Sequence, residues 1–96
     1  NSKIKNLIYS KSCVYHQYVI LSKNRKKLIK LLSKNGIPFG FHYPYPINKL
    51  HSLRKIFIRQ KYPNAERIGK EGISLPIDPN LSISNLRKII KVINSF

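Results

Sequence analysis

Acidic residues are nearly absent from this 96-residue chain. Glu66, Glu71 and Asp78 stand against 19 lysines and arginines, a formal charge of +16. Three widely spaced carboxylates supply no pair for acid/base work of the glycosidase kind. Cysteine occurs once, at Cys13. That excludes an internal disulfide framework and leaves a zinc site without its usual sulfurs. The four glycines stand singly at 36, 40, 69 and 72, so no glycine-rich loop can cradle a phosphate. The longest apolar runs span only about four residues, as at 18–21, against the ~20 that a membrane helix needs. No charged-then-apolar signal segment opens the chain. These absences point to one domain, with no membrane span, in a reducing, cytoplasmic setting. Methionine is also missing, and we expect the chain to be a piece of something longer.

What is abundant is positive charge. Such a surplus attracts polyanions, nucleic acid first among them. The 15 Ile, 14 Lys and 9 Asn give the competing account. All three have A/T-rich codons, and an A/T-rich genome inflates them together whatever the protein does.

Residues 1–12 are polar, with a short apolar island at Leu7-Ile8-Tyr9, and read as an incoming connector. Residues 13–96 carry the regular elements. The β-branched and aromatic run 14–21 predicts a strand apolar on both faces. Ser22 or Asn24 can cap the helix that follows. Leu28, Leu31 and Leu32 form its stripe and Arg25, Lys26, Lys27, Lys30 and Lys34 its polar side, with Gly36 as the stop. Ile37, Phe39 and Phe41 alternate as in a strand, which Pro38 demotes to an edge. His42-Tyr43-Pro44-Tyr45-Pro46 is a stiff aromatic loop. Leu50, Leu53 and Phe57 predict a helix over 48–60, and Pro63 opens a short one over 63–68. Residues 72–77 predict a strand with Ile73, Leu75 and Ile77 on one face, and 78–80 a turn. Ser82 or Ser84 caps a last helix whose Leu86, Ile89, Ile90 and Ile93 should face the sheet. The order predicts a small two-layer α/β (α+β) domain: three or four strands with helices on one face.

Few side chains suggest chemistry. His16, His42 and His51 share no metal-ligand spacing and have no acidic neighbour in sequence. Cys13 and His16, three apart in a strand, point to opposite faces, so Cys13 reads as structural and not as a nucleophile. His42 and Tyr43 are the best site candidates, because a stiff loop at a strand end holds polar side chains in place. The competing reading is that these aromatic rings plug the edge of a small core.

One succession of motifs is specific. It runs from Val14-Tyr15-His16-Gln17-Tyr18-Val19-Ile20 through Arg25, Leu28, Leu32 and Gly36-Ile37 to His42-Tyr43-Pro44-Tyr45-Pro46. It continues with Pro63-Asn64-Ala65-Glu66, then Ser74-Leu75-Pro76-Ile77 with Pro79 and Leu81. In that order and spacing it resembles the C-terminal domain of the DegT/DnrJ/EryC1/StrS aminotransferases, over about residues 13 to 95. These are pyridoxal-phosphate (PLP) enzymes that aminate keto groups on nucleotide-linked sugars.

The resemblance implies the small domain of a fold-type I aminotransferase. PLP and its Schiff-base lysine would lie in a large domain upstream. No lysine here stands in that lysine's context, so no catalytic, cofactor-binding or metal-binding residue is assigned to this chain. His42 and Tyr43 become substrate-side residues. The implied parent is a cytoplasmic homodimer making amino sugars for surface polysaccharide or related glycans, with glutamate as amino donor. It implies neither a specific nucleic acid nor a membrane as partner. Lys26 departs from an acidic position of the family, Asn48 fits loosely, and Asp78 replaces a residue that is often aromatic or His. Two other readings stand beside it: a free-standing basic α/β module that binds nucleic acid, and a degenerate remnant.

Overall fold

The computed structural model describes residues 2–7 and 10–96. Two residues of the apolar island, Ile8 and Tyr9, lie outside the described residues. Strand β1 (Lys5–Asn6) sits within the expected connector. It pairs antiparallel with β2 (Tyr18–Leu21), which pairs antiparallel with β3 (Gly72–Leu75). The sheet order is β1-β2-β3. Helices α1 (Arg25–Lys34), α2 (Pro63–Glu71) and α3 (Ile83–Asn94) complete the domain.

Tyr18 faces Leu75 and Ile20 faces Ile73 across the β2–β3 ladder, so these four side chains share one face. Ile20, Ile73 and Leu75 form the core with Leu28 and Leu32 of α1, Ile37, and Ile89 and Val92 of α3. α1 and α3 therefore gather on the same face of the sheet. Asn35 follows α1 and Gly36 takes φ +65°, the left-handed stop that glycine adopts without a Cβ clash. Glu66 lies in the first turn of α2 and Lys70 in its last, in keeping with the helix dipole.

Several expectations need correction. The strand expected over 14–21 begins only at Tyr18. Val14 is 91% exposed and Tyr15 takes φ +48°, which breaks the extended run. The pairing ends there too: Tyr18 faces Leu75, the last residue of β3. Ile77, expected on the β3 face, lies beyond that last pair, outside the strand and exposed.

The expected helix over 48–60 is a 3-10 turn, Ile47–Lys49, followed by successive turns. Their bonds are mostly of the i+3 kind: Leu53 N to Leu50 O at 3.0 Å, Ile56 N to Leu53 O at 2.9 Å, Gln60 N to Phe57 O at 3.0 Å. Leu53 and Phe57 are half-buried, but Leu50, Ile56 and Ile58 face solvent. A segment with so little apolar surface to bury does not hold a continuous helix.

The helix expected over 63–68 runs on through Gly69 to Glu71. An Arg67 Nε–Glu71 Oε2 pair at 3.0 Å supports its last turn. In α3, Ser82 Oγ accepts the N–H of Asn85 at 3.1 Å, the expected cap. The expected stripe is turned, however. Ile89 and Val92 enter the core, while Leu86 and Ile90 are about half exposed. They line an open apolar groove of about 560 Å³ with Ile4, Tyr18, Ile77 and Ile93.

Candidate functional site

The segment from Ile37 to Phe41, expected as an edge strand, forms no strand; it passes beside β3 and meets it in one isolated bridge. Ile37 is buried, and Phe39 and Phe41 pack against the core. Their rings meet edge to face, with centroids 5.7 Å apart. One bridge joins the segment to the sheet. Gly40 N donates to Ser74 O at 3.1 Å, and Ser74 N donates to Gly40 O at 2.8 Å. Pro38 limits this edge to a single bridge.

That bridge fixes His42. Its ring folds back over Gly40, where an added Cβ would lie 2.9 Å from Cε1. Only glycine gives the ring this clearance. His42 Nδ1 lies 2.8 Å from Ser74 Oγ. The Tyr43 ring stands edge-on to His42, with centroids 5.5 Å apart and planes at 77°. Tyr43 is 75% exposed.

The two candidates are neighbours in the chain but open on different cavities. His42 lines a shallow depression of about 250 Å³ at the sheet edge with Gln17, Pro38, Gly40 and Ser74. Tyr43 lines an apolar cleft of about 490 Å³ with Tyr45, Phe57, Tyr62 and Ile68. Asn48 is buried in the wall of that cleft and donates from Nδ2 to Glu66 Oε1 at 3.1 Å. Lys49 Nζ approaches the same oxygen at 3.8 Å. His16 and His51 are exposed and line neither cavity. Cys13 is exposed, and its Sγ accepts the N–H of Tyr15 at 3.4 Å. Among the described residues no three His, Cys, Asp or Glu gather as a metal site.

These side chains do not fit PLP. No lysine lines the depression beside His42 or the cleft beside Tyr43. A third depression holds Lys3, Lys5 and Lys23. Its carboxylate, Glu71, is engaged by Arg67 at 3.0 Å, and a pyridine nitrogen would need that carboxylate as its partner.

Sequence reasoning placed His42 and Tyr43 but attached no role to Ser74 or Gly40. Ser74 carried a usable signal. It is a lone hydroxyl between Ile73 and Leu75 in a buried strand, and a buried hydroxyl needs a partner.

The sequence model of the DegT/DnrJ/EryC1/StrS aminotransferase family matches residues 3–94. The chain is 28% identical over 86 residues to a dTDP-3-amino-3,6-dideoxy-alpha-D-galactopyranose transaminase of Aneurinibacillus thermoaerophilus, covering 90% of this chain and 23% of that protein. It is 30% identical over 76 residues to a UDP-2-acetamido-2-deoxy-3-oxo-D-glucuronate aminotransferase of Pseudomonas aeruginosa, covering 79% of this chain and 21% of that protein. The crystal structure of a DegT DnrJ EryC1 StrS aminotransferase from Brucella abortus superposes with a TM-score of 0.84 at 27% identity, over 99% of this chain and 26% of that one. The chain thus spans about a quarter of the length of the relatives it matches.

Proposed function

Since the chain belongs to the DegT/DnrJ/EryC1/StrS aminotransferase family, we propose that it is the C-terminal small domain, residues 13–96 with 1–12 as connector, of an enzyme that aminates a keto sugar carried on a nucleoside diphosphate. PLP is held by a large domain. The cofactor supplies the amino-group chemistry, and this chain supplies shape and binding groups on the substrate side. The parent takes its amino group from glutamate, works as a homodimer and resides in the cytoplasm. Among the described residues no helix is long and apolar enough to cross a membrane. The chain alone transfers no amino group.

The observation that carries the substrate-side role is the anchoring of His42. One ring nitrogen is bonded inward to Ser74, while the ring borders a depression open to solvent beside an exposed Tyr43. A ring held in this way loses little entropy on binding a hydroxyl or phosphate oxygen. The test is His42→Gln in the full-length enzyme, with steady-state kinetics for the sugar nucleotide and a melting curve. We expect kcat/KM of the folded enzyme to fall about tenfold or more, equivalent to ~1.4 kcal/mol, beside a lowered melting temperature from the Ser74 hydroxyl left without its ring partner. A loss of stability with unchanged kinetics of the folded fraction would assign His42 to the scaffold alone.

A further inference from the structure

Ser74 is 4% exposed and lies between two core residues of β3. Its backbone N–H and C=O are both engaged by Gly40. Its hydroxyl has one recorded partner among the described residues, His42 Nδ1 at 2.8 Å. A hydroxyl carries one proton to donate and lone pairs to accept, whereas a neutral imidazole donates from one nitrogen and accepts at the other. Two arrangements are open. If Nδ1 carried the proton and donated to Oγ, the hydroxyl proton of this nearly buried serine would have no acceptor among the described residues, which is the costly case. If Oγ–H donates to Nδ1, both groups are satisfied. The imidazole proton then resides on Nε2, which makes no hydrogen bond to a described residue.

We propose that Ser74 is a positioning residue that holds His42 in the Nε2–H tautomer, so that the ring presents a single N–H donor toward the depression at the sheet edge. The group such a donor recognises is an oxygen with lone pairs and no proton, as on a diphosphate or a sugar carbonyl. Ser74 sets the tautomer, and Gly40 sets the ring plane by leaving no Cβ in its way. The Gly40–Ser74 bridge ties both to the same sheet edge. The ligand class rests on the substrate-side reading of His42, whereas the tautomer does not.

Histidine ¹⁵N shifts of the 96-residue chain, read at a pH where the ring is neutral, test the assignment. Wild type is expected to show Nε2 protonated and Nδ1 as the bare acceptor. Ser74→Ala should give a mixture of tautomers, and Ser74→Thr, which keeps the hydroxyl, should restore the wild-type pattern. A wild-type ring protonated at Nδ1 overturns the proposal even if Ser74→Ala does not fold. So does a Ser74→Ala spectrum identical to wild type. In the full-length enzyme we expect Ser74→Ala to raise KM for the sugar nucleotide severalfold and Ser74→Thr to recover it. If the tautomer is as assigned but His42→Gln leaves the kinetics unchanged, the substrate-side reading fails and the assignment of Ser74 stands.

Discussion

Arg25 shows how one side chain can join several segments. Its Nη1 donates to Gly69 O at 2.8 Å and to Gly72 O at 3.4 Å. The guanidinium also lies over the Phe41 ring, 5.0 Å from its centroid. The start of α1, the end of α2 and the residue before His42 are thus held by one planar cation. A lysine here offers a compact ammonium on a flexible stem and cannot reproduce the stacking of a planar cation on Phe41. Arg25→Lys should therefore cost about 1–3 kcal/mol, the range for hydrogen bonds to a charged group and the carbonyls it leaves. Thermal melts check this, at about 4–8 °C per kcal/mol for a domain of this size. The sequence shows Arg25 as one of five basic residues on the polar side of α1. Nothing in a helical pattern distinguishes the one that turns inward, because its partners lie 44 and 47 residues away.

At the scale of elements, α3 separates two isoleucines that one apolar stripe would treat alike. Ile89 is 8% exposed and Ile90 49%. Ile89→Ala should cost about 2–5 kcal/mol, the range for emptying a core position. Ile90→Ala, on the groove, should cost well under half as much, because its side chain already meets water. Equal melting temperatures for the two variants would show the groove filled in solution. The helical period of α1 and α3 is legible because each buries a stripe, whereas α2, whose buried residue is Gly69, is legible through the proline that opens it. The strand stretches misread at 14–17 and at Ile77 have the right residue types. Strand formation needs a partner, however, and the pairing here ends at Leu75. The segment 48–60 fails for the complementary reason, having apolar residues at helical spacing and little surface to receive them. The loop around His42 is legible through its prolines, whereas its link to Ser74 depends on tertiary pairing that spacing does not encode.

For the whole molecule, charge is the dominant quantity. Glu66 and Glu71 are each ion-paired, to Lys49 and Arg67, so a large cationic excess faces solvent. Nonspecific attraction to nucleic acid at low salt follows from that excess alone. Binding through n phosphates would weaken steeply with salt, with a log–log slope of about −0.9n on duplex DNA. We expect no tight, base-selective complex at ~150 mM salt, where specific binders reach about 10⁻⁸–10⁻¹¹ M. A titration by fluorescence anisotropy checks this, and a sequence-selective complex surviving that salt would favour the nucleic-acid module over the aminotransferase domain. The order of chain closure is set by the sheet. β2 meets β3 across more than fifty residues of chain, from Leu21↔Gly72 to Tyr18↔Leu75. Everything between them, α1, the His42 loop and α2, is enclosed in that one loop. Closing it is entropically opposed before the pairing rewards it. The isolated 37–46 segment therefore has no route to the geometry around His42, since Ser74 arrives only when β3 docks. The site is completed with the central ladder, at the rate of the slowest long-range event in folding.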